Sequence, residues 1–442
     1  MRLLRLLART KLYWGLAAIF VAGVLLSPHT SKGVNIFLSY GNLADVLRQV
    51  SITGIVAVGM TLVILTAGID LSVGSVLAFG SVLCAMLLTQ PGWTPAAVMG
   101  VPATVVVVFV AIFLLVRFLA RGLARGPQVP IGHRAEERRR PLLDSWLPTV
   151  AAIAVALPVA GWCLAQVPGK FGVLGVLVVV PCAGLLVGAL NGVIIVHGRL
   201  QPFIVTLAMM VGALGAARLT AGQDNAVLPV YTGSNAVQEF DALRSVVLGV
   251  VPVPGLVFLG VLVIFLLLLN CTAFGRYVYA IGGNEEATRL SGVPVGRVTI
   301  ATYALSGMLA TLAGVLYVAQ YRQGKPDAGT GLELDAIAAV AIGGTSLAGG
   351  KGGLAGTLVG VLIFGLLGNI LQLNNITSNL QLLLKGIIIV LAVLLQERDI
   401  RLLALRPWRR HRETAPGTAV AGRGRTSTDG ERGIRETAHE AP

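Results

Sequence analysis

Apolar runs near the length that crosses a bilayer recur about a dozen times along this chain, and no other feature constrains its fold so strongly. At membrane depth no water is available, so every backbone N–H and C=O must be satisfied inside a helix or a closed barrel. One such run could be a buried core helix or a signal sequence; a dozen cannot. They fall near 12–27, 50–66, 73–89, 97–116, 147–166, 171–196, 202–221, 253–271, 299–320, 335–347, 354–373 and 380–396. Hydrophobic residues make up 55% of the 442 and charged residues 12%, about half the roughly 25% charge of a soluble domain. The 55 glycines suit a bundle in which small residues let helices approach closely. The expected fold is an all-α polytopic membrane bundle of about twelve transmembrane helices.

Charge sets the orientation. The net charge of +14 gathers at Arg2, Arg5, Arg9 and Lys11, in a block over 117–140, and in the tail after Arg398. These segments flank apolar runs, as the positive-inside rule expects of cytoplasmic loops, and this placement argues against a nucleic-acid partner. With both termini inside, 117–140, 197–199, 274–298 and the tail all fall on the cytoplasmic side. The loops near 28–42, 222–245 and 321–334, poorer in Lys and Arg, fall outside. Leu12–Leu26 behind the N-terminal arginines resembles a signal sequence, but no small-x-small site follows it, so an uncleaved first helix is expected. Residues 1–405 read as the transmembrane domain. Residues 406–442, rich in Arg, Gly, Thr, Glu and Pro, read as a disordered basic tail. Cys84, Cys163, Cys182 and Cys271 lack CxxC spacing and histidine partners, and are expected as small packing residues.

Polar interruptions stand out against this background. In Thr66-Ala67-Gly68-Ile69-Asp70-Leu71-Ser72-Val73-Gly74-Ser75 a carboxylate lies between two apolar runs, where it must face protein, water or a helix end. Asp70 and Ser72 could simply cap the next helix; alternatively the segment is a broken helix lining a solute path. A second interruption, Gly329-Thr330-Gly331-Leu332-Glu333-Leu334-Asp335, also places glycine, then carboxylate, then a small-residue helix, which raises an internal repeat. Between 274 and 298, Ala287 and Leu290 sit at helical spacing among charges, bounded by Gly283 and Gly292. The pattern is a short amphipathic helix on the cytoplasmic face, resting on lipid headgroups or docked in a partner. Catalytic readings fail. Thr345–Gly352 looks like a phosphate-binding loop, but Thr345 replaces its first glycine and Gly352 its final Ser/Thr. The histidines are scattered, and neither HExxH nor GxSxG occurs.

Three of these stretches, Gly59–Ser75, Gly275–Gly292 and Ala328–Gly350, resemble in order the signature segments of ribose-type ABC importer permeases, over roughly 35–90 and 171–398. The resemblance implies a homodimeric permease that takes a pentose or similar small polyol from an extracytoplasmic binding protein. A separate cytoplasmic ATPase would hold the ATP and magnesium, with no cofactor in this chain, and the assembly would sit in a bacterial inner membrane. It also implies that Gly283, Asn284, Glu285, Ala287, Arg289, Leu290 and Gly292 couple to the ATPase. Gly68, Asp70, Ser72, Gly74, Glu333 and Asp335 would belong to the helix breaks, in a structural or gating role. Gln201, Phe203 and Thr206 would line the path near the cytoplasmic side. About ten spans fit the family pattern; 97–166 reads as an inserted helical hairpin around the basic loop. The rival from another class is an ion-coupled secondary transporter of a small polar solute, with Asp70, Glu333 and Asp335 as its only tempting ion ligands.

Overall fold

The computed structural model describes residues 2–89, 172–222, 226–247, 249–388 and 390, so the expected hairpin 97–166 and the tail 406–442 lie outside the described residues. Within them run α1 (Arg2–Leu26), α2 (Tyr40–Leu65), α3 (Val73–Thr89), α4 (Val173–Gly198), α5 (Pro202–Ala221), α6 (Val253–Cys271), α7 (Ala273–Gly283), α8 (Glu285–Leu290), α9 (Val295–Tyr321), α10 (Leu332–Ile342) and α11 (Leu354–Leu373). A last helical stretch covers 378–388. Among the described residues six helices, α2, α4, α5, α6, α9 and α11, are long and apolar enough to cross a membrane, and α3 and Tyr13–Leu26 of α1 are shorter apolar helices.

Two expected boundaries change. The span set at 50–66 begins ten residues earlier, at Tyr40, because Asp45 and Arg48 pair at 2.7 Å along the helix and Ser39 caps it, accepting from the Asn42 amide. The span set at 335–347 is the eleven-residue α10, which stops at Ile342 because Gly343 and Gly344 follow, the latter at φ +84°. At 1.5 Å per residue it is about 16 Å long, half a bilayer core.

Burial sorts the helices into a centre and a rim. α2 and α9 are mostly buried, whereas a third or less of α4, α5 and α6 is buried within the protein. Phe203, Ile204, Val211 and Leu219 on α5, and Leu259, Ile264 and Leu267 on α6, face outward. A face of that kind is stable only against hydrocarbon or another protein. The closest helix pair is α4 on α9, where Gly184, Gly188 and Gly192 recur every four residues. A Cβ at any of them would strike α9 backbone at Gly307, Tyr303 or Ile300. α1 packs on α11, with Phe20 edge-on to Phe37 at 5.5 Å. Asn42 and Asn369 exchange amide hydrogen bonds of 3.1 and 2.7 Å between α2 and α11. Of the cysteines, Cys84 packs in the core, but Cys182 and Cys271 are exposed on their helices, contrary to the packing role expected of them.

The loops that charge counting put on one side are tied together. Strand β1 (Leu228–Pro229) pairs antiparallel with β4 (Gln323–Gly324), joining 222–245 to 321–334. Strands β2 (Val246–Val247) and β3 (Val251–Pro252) close a small hairpin ahead of α6.

Candidate functional site

The first break is a sealed polar cluster. α2 ends at Leu65, Ala67 turns left-handed at φ +60°, and the chain re-enters helix at Val73. Between them Asp70 is 1% exposed. Its Oδ1 accepts from the Ser72 amide at 3.0 Å and the Ser72 hydroxyl at 2.6 Å, and its Oδ2 from the Ser306 hydroxyl of α9 at 2.9 Å. Asn191 of α4 donates to the Ser72 hydroxyl at 3.0 Å. Thr206 of α5 lies 3.2 Å from the Ile69 carbonyl, which its hydroxyl can reach. Ser72 and Asp70 do form the local turn expected of capping residues, and three other helices complete it.

The second break packs onto the first. After β4 the chain runs along α3, where Ser81 Oγ meets the Lys325 backbone at 3.2 and 3.3 Å. It then descends until Gly329 lies against Gly74 backbone to backbone, with the Glu333 carboxylate against Gly74 as well. Any side chain at Gly74 would part the two breaks. The carboxylates of the proposed repeat are not equivalent, however. Asp70 precedes its helix and is held by hydroxyls, whereas Glu333 and Asp335 stand in the first turn of α10. Asp335 pairs with Lys385 at 2.7 Å, and Lys385 also lies 5.3 Å from the Phe364 ring centre.

The stretch 274–298 holds two helices where the spacing predicts one. α7 and α8 meet at Asn284, whose side chain accepts from the Ala287 amide at 2.9 Å and so starts α8. Gly283 closes α7, and Gly292 at φ +81° stops the chain after α8. Arg289 pairs with Glu285 at 2.6 Å. Thr288 is the buried residue of α8, while Ala287 is exposed and Leu290 is 80% exposed, so the apolar side faces away from the bundle.

The base of this helical hairpin touches the first break and the loop after α10 through backbone. Gly282 sits where a Cβ would fall on the Leu65 carbonyl oxygen and against the Gly350 nitrogen. The Gly350 amide donates to Leu65 O at 3.0 Å, and Gly349 packs on Ala67. The loop that mimics a phosphate-binding motif thus spends its glycines on an internal junction: the end of α2, the end of α7 and the loop after α10 meet there. Tyr279 adds a hydrogen bond to Gly352 O at 3.1 Å.

Beside the junction opens a cleft of about 860 Å³ between the first break, the α4–α5 corner, the α7–α8 hairpin and the start of α9. Gly68, Gly283, Asn284, Glu285 and Arg289 line it, together with Arg199, Thr299 and Tyr303. Gln201 and Phe203 do not; both are exposed at the start of α5, although their neighbours Leu200 and Pro202 are in the wall. The structure therefore gathers Gly68, Asp70, Ser72, Gly74, Thr206 and Glu333 around the breaks and leaves Asp335 to its ion pair. Sequence reasoning missed Asn191, Tyr303, Ser306, Gly282 and Gly350. Asn191 carried a signal, a lone amide inside an apolar run, while a Ser, a Tyr and a Gly in such a run are too common to stand out. Among the described residues no cluster of His, Cys, Asp and Glu could hold a metal ion.

Comparison with known proteins agrees with the architecture. The family described as "Branched-chain amino acid transport system / permease component" matches residues 42–127 and 148–393. Only 128–147 interrupts that match, a shorter departure than the 97–166 expected from the motifs. The ribose import permease protein RbsC of Escherichia coli K12 is 37% identical over 368 residues, 82% of this chain and 87% of the relative. Its Bacillus subtilis counterpart is 35% identical over 362 residues, 82% and 86%. The xylose transport system permease protein XylH of E. coli K12 is 32% identical over 399 residues, 85% and 89%. No solved structure matches. With most of its length matched and its apolar helices broken where the motifs fall, this chain belongs to the ABC transporter permease family that includes those import permeases, and it is a multi-pass membrane transport subunit, not an enzyme.

Proposed function

We propose that the chain forms the transmembrane path of a sugar importer, carrying a pentose or similar small polyol. The binding protein would deliver the solute outside, and a separate cytoplasmic ATPase, which binds the ATP and magnesium, would drive transport in the bacterial inner membrane. The observation that carries this reading is the backbone junction, since a hairpin with an outward apolar side is joined, backbone to backbone, to the first helix break and to the loop after α10. A push on α8 by the ATPase would reach Leu65 and Gly350 without crossing a flexible side chain. Glu285, Arg289 and Leu290 then form the docking surface, and Asn284 with Gly283 and Gly292 sets its shape.

The family description mentions amino acids, but a sugar is favoured. The nearly full-length relatives carry ribose and xylose by name, and a zwitterion would need free countercharges at the breaks. Asp70 is held by three donors, Asp335 is paired with Lys385, and the Glu333 carboxylate is packed against Gly74. Two of the three carboxylates are thus already engaged, which argues against an ion-coupled carrier, whose ligands must be vacant to load. Twelve spans with both termini inside remain the reading for topology. It is supported by two pairings of loops assigned to one side: 228–229 with 323–324 outside, and Arg199 with Arg289 around one cleft inside. A homodimer would place an exposed apolar helix face of one copy on another. The test is reconstitution of the chain alone, and with its ATPase and binding protein, in liposomes. ATP-dependent uptake of D-ribose or D-xylose only in the full assembly is expected; uptake by the chain alone on a proton or sodium gradient would overturn the reading.

A further inference from the structure

The cleft ends at Tyr303, and its chemistry is unfinished there. The ring is fully buried among Val63, Ile195 and Val205. Its hydroxyl has no hydrogen-bond partner, and it presses on Gly68 so closely that a Cβ at that position would collide with it. Buried polar atoms without partners are rare enough to need a reason. One lies in the surroundings on α9. Thr299 lines the cleft, Tyr303 closes its inner end, and Ser306 bonds Asp70 beyond it. Their i, i+4, i+7 spacing puts all three on one helix face, a hydroxyl rib about 10 Å long on a helix that also buries Thr302 and Thr311. Across from it Thr66 and Gly68 stand in the cleft wall, and Asp70 and Ser72 lie behind the seal.

We propose that this rib is a transit site for a neutral, hydroxyl-bearing solute, and that Tyr303 is the residue that recognises the solute and closes the cleft behind it. The inference rests on the importer reading above. A phenol both donates and accepts, so it can exchange hydrogen bonds with any face of a polyol as α9 and the first break separate. When they close, the hydroxyl is left unpartnered against Gly68, as found here. The rib itself offers hydroxyls only: the charged side chains of the cleft, Arg199, Glu285 and Arg289, stand on other elements, and Asp70 beyond the seal is already held by Ser72 and Ser306.

The test is the fully assembled transporter in liposomes, with radiolabelled D-ribose and D-xylose as probes and ATP hydrolysis followed in parallel. Tyr303→Phe keeps the ring packing and removes only the unpartnered hydroxyl, and with it the one hydrogen bond that a passing solute would gain. It should leave the melting temperature and binding-protein-stimulated ATP hydrolysis near wild type while lowering solute imported per ATP about five-fold, the size of one neutral hydrogen bond. Tyr303→Ala should in addition let preloaded sugar leak out through the assembly without ATP. Wild-type import with Tyr303→Phe unchanged would sink this inference alone. No import of either sugar by the wild type would sink the importer reading and the inference with it.

Discussion

Substituting Gly282 by alanine is the sharpest probe of the junction. Its methyl would land on the Leu65 carbonyl oxygen and the Gly350 nitrogen, both backbone atoms that cannot rotate away. Overpacking of this kind costs about 1–3 kcal/mol, and parting the 3.0 Å Gly350–Leu65 hydrogen bond adds about 1 kcal/mol. Together about 2–4 kcal/mol falls on one contact of α7 with the end of α2 and the loop after α10, while the bundle's other interfaces are untouched. The adjacent Gly283 is the matched control: a Cβ there meets nothing within 4 Å, so Gly283→Ala should change stability by no more than about 1 kcal/mol. Purified in detergent and reconstituted with ATPase and binding protein, Gly282→Ala should still insert and bind the ATPase, yet hydrolyse ATP with little uptake. Gly283→Ala should transport. Equal behaviour of the two variants would refute the junction, because a Cβ at Gly282 falls on backbone while one at Gly283 meets nothing.

Four other predictions follow from named contacts. Leu290→Asp, on a side chain 80% exposed, should leave the permease's melting temperature unchanged and abolish co-purification of the ATPase; the double Glu285→Ala, Arg289→Ala variant should insert normally but uncouple hydrolysis from uptake. Asp70→Asn keeps an acceptor for Ser72 and a donor that Ser306 can accept, so it should import sugar, whereas Asp70→Ala strands those donors at about 2–3 kcal/mol and should melt lower; an ion-ligand role for Asp70 predicts loss in both. Lys385→Met strips Asp335 of its partner, and with side chains 25% and 21% exposed the cost should be about 1–3 kcal/mol, below that of a fully buried pair. Adding Asp335→Leu should recover most of that loss in a thermal melt.

The membrane class and the positions of both breaks could be read from the chain because they depend on local quantities, as does the expectation of which loops share a side. A run of apolar residues needs a lipid-like solvent wherever it sits, a carboxylate such as Asp70 marks a break by its desolvation cost, and a basic loop resists translocation. Helix ends were less legible. The start of α2 hides behind Asp45 and Arg48, whose charges cancel only once the helix forms, and α10 stops at glycines that the apolar pattern runs through. What makes the site was not local at all. Asn191, Ser306 and Tyr303 come from helices more than a hundred residues apart or from the far end of the chain, and only packing brings them to Asp70. The value of Gly282 depends on a carbonyl at Leu65 and an amide at Gly350. Sequence alone determined the solvent this protein needs and where its helices break; tertiary structure decided which backbone atoms those breaks touch, because close approach is a property of surfaces folded together and leaves no periodicity in the chain.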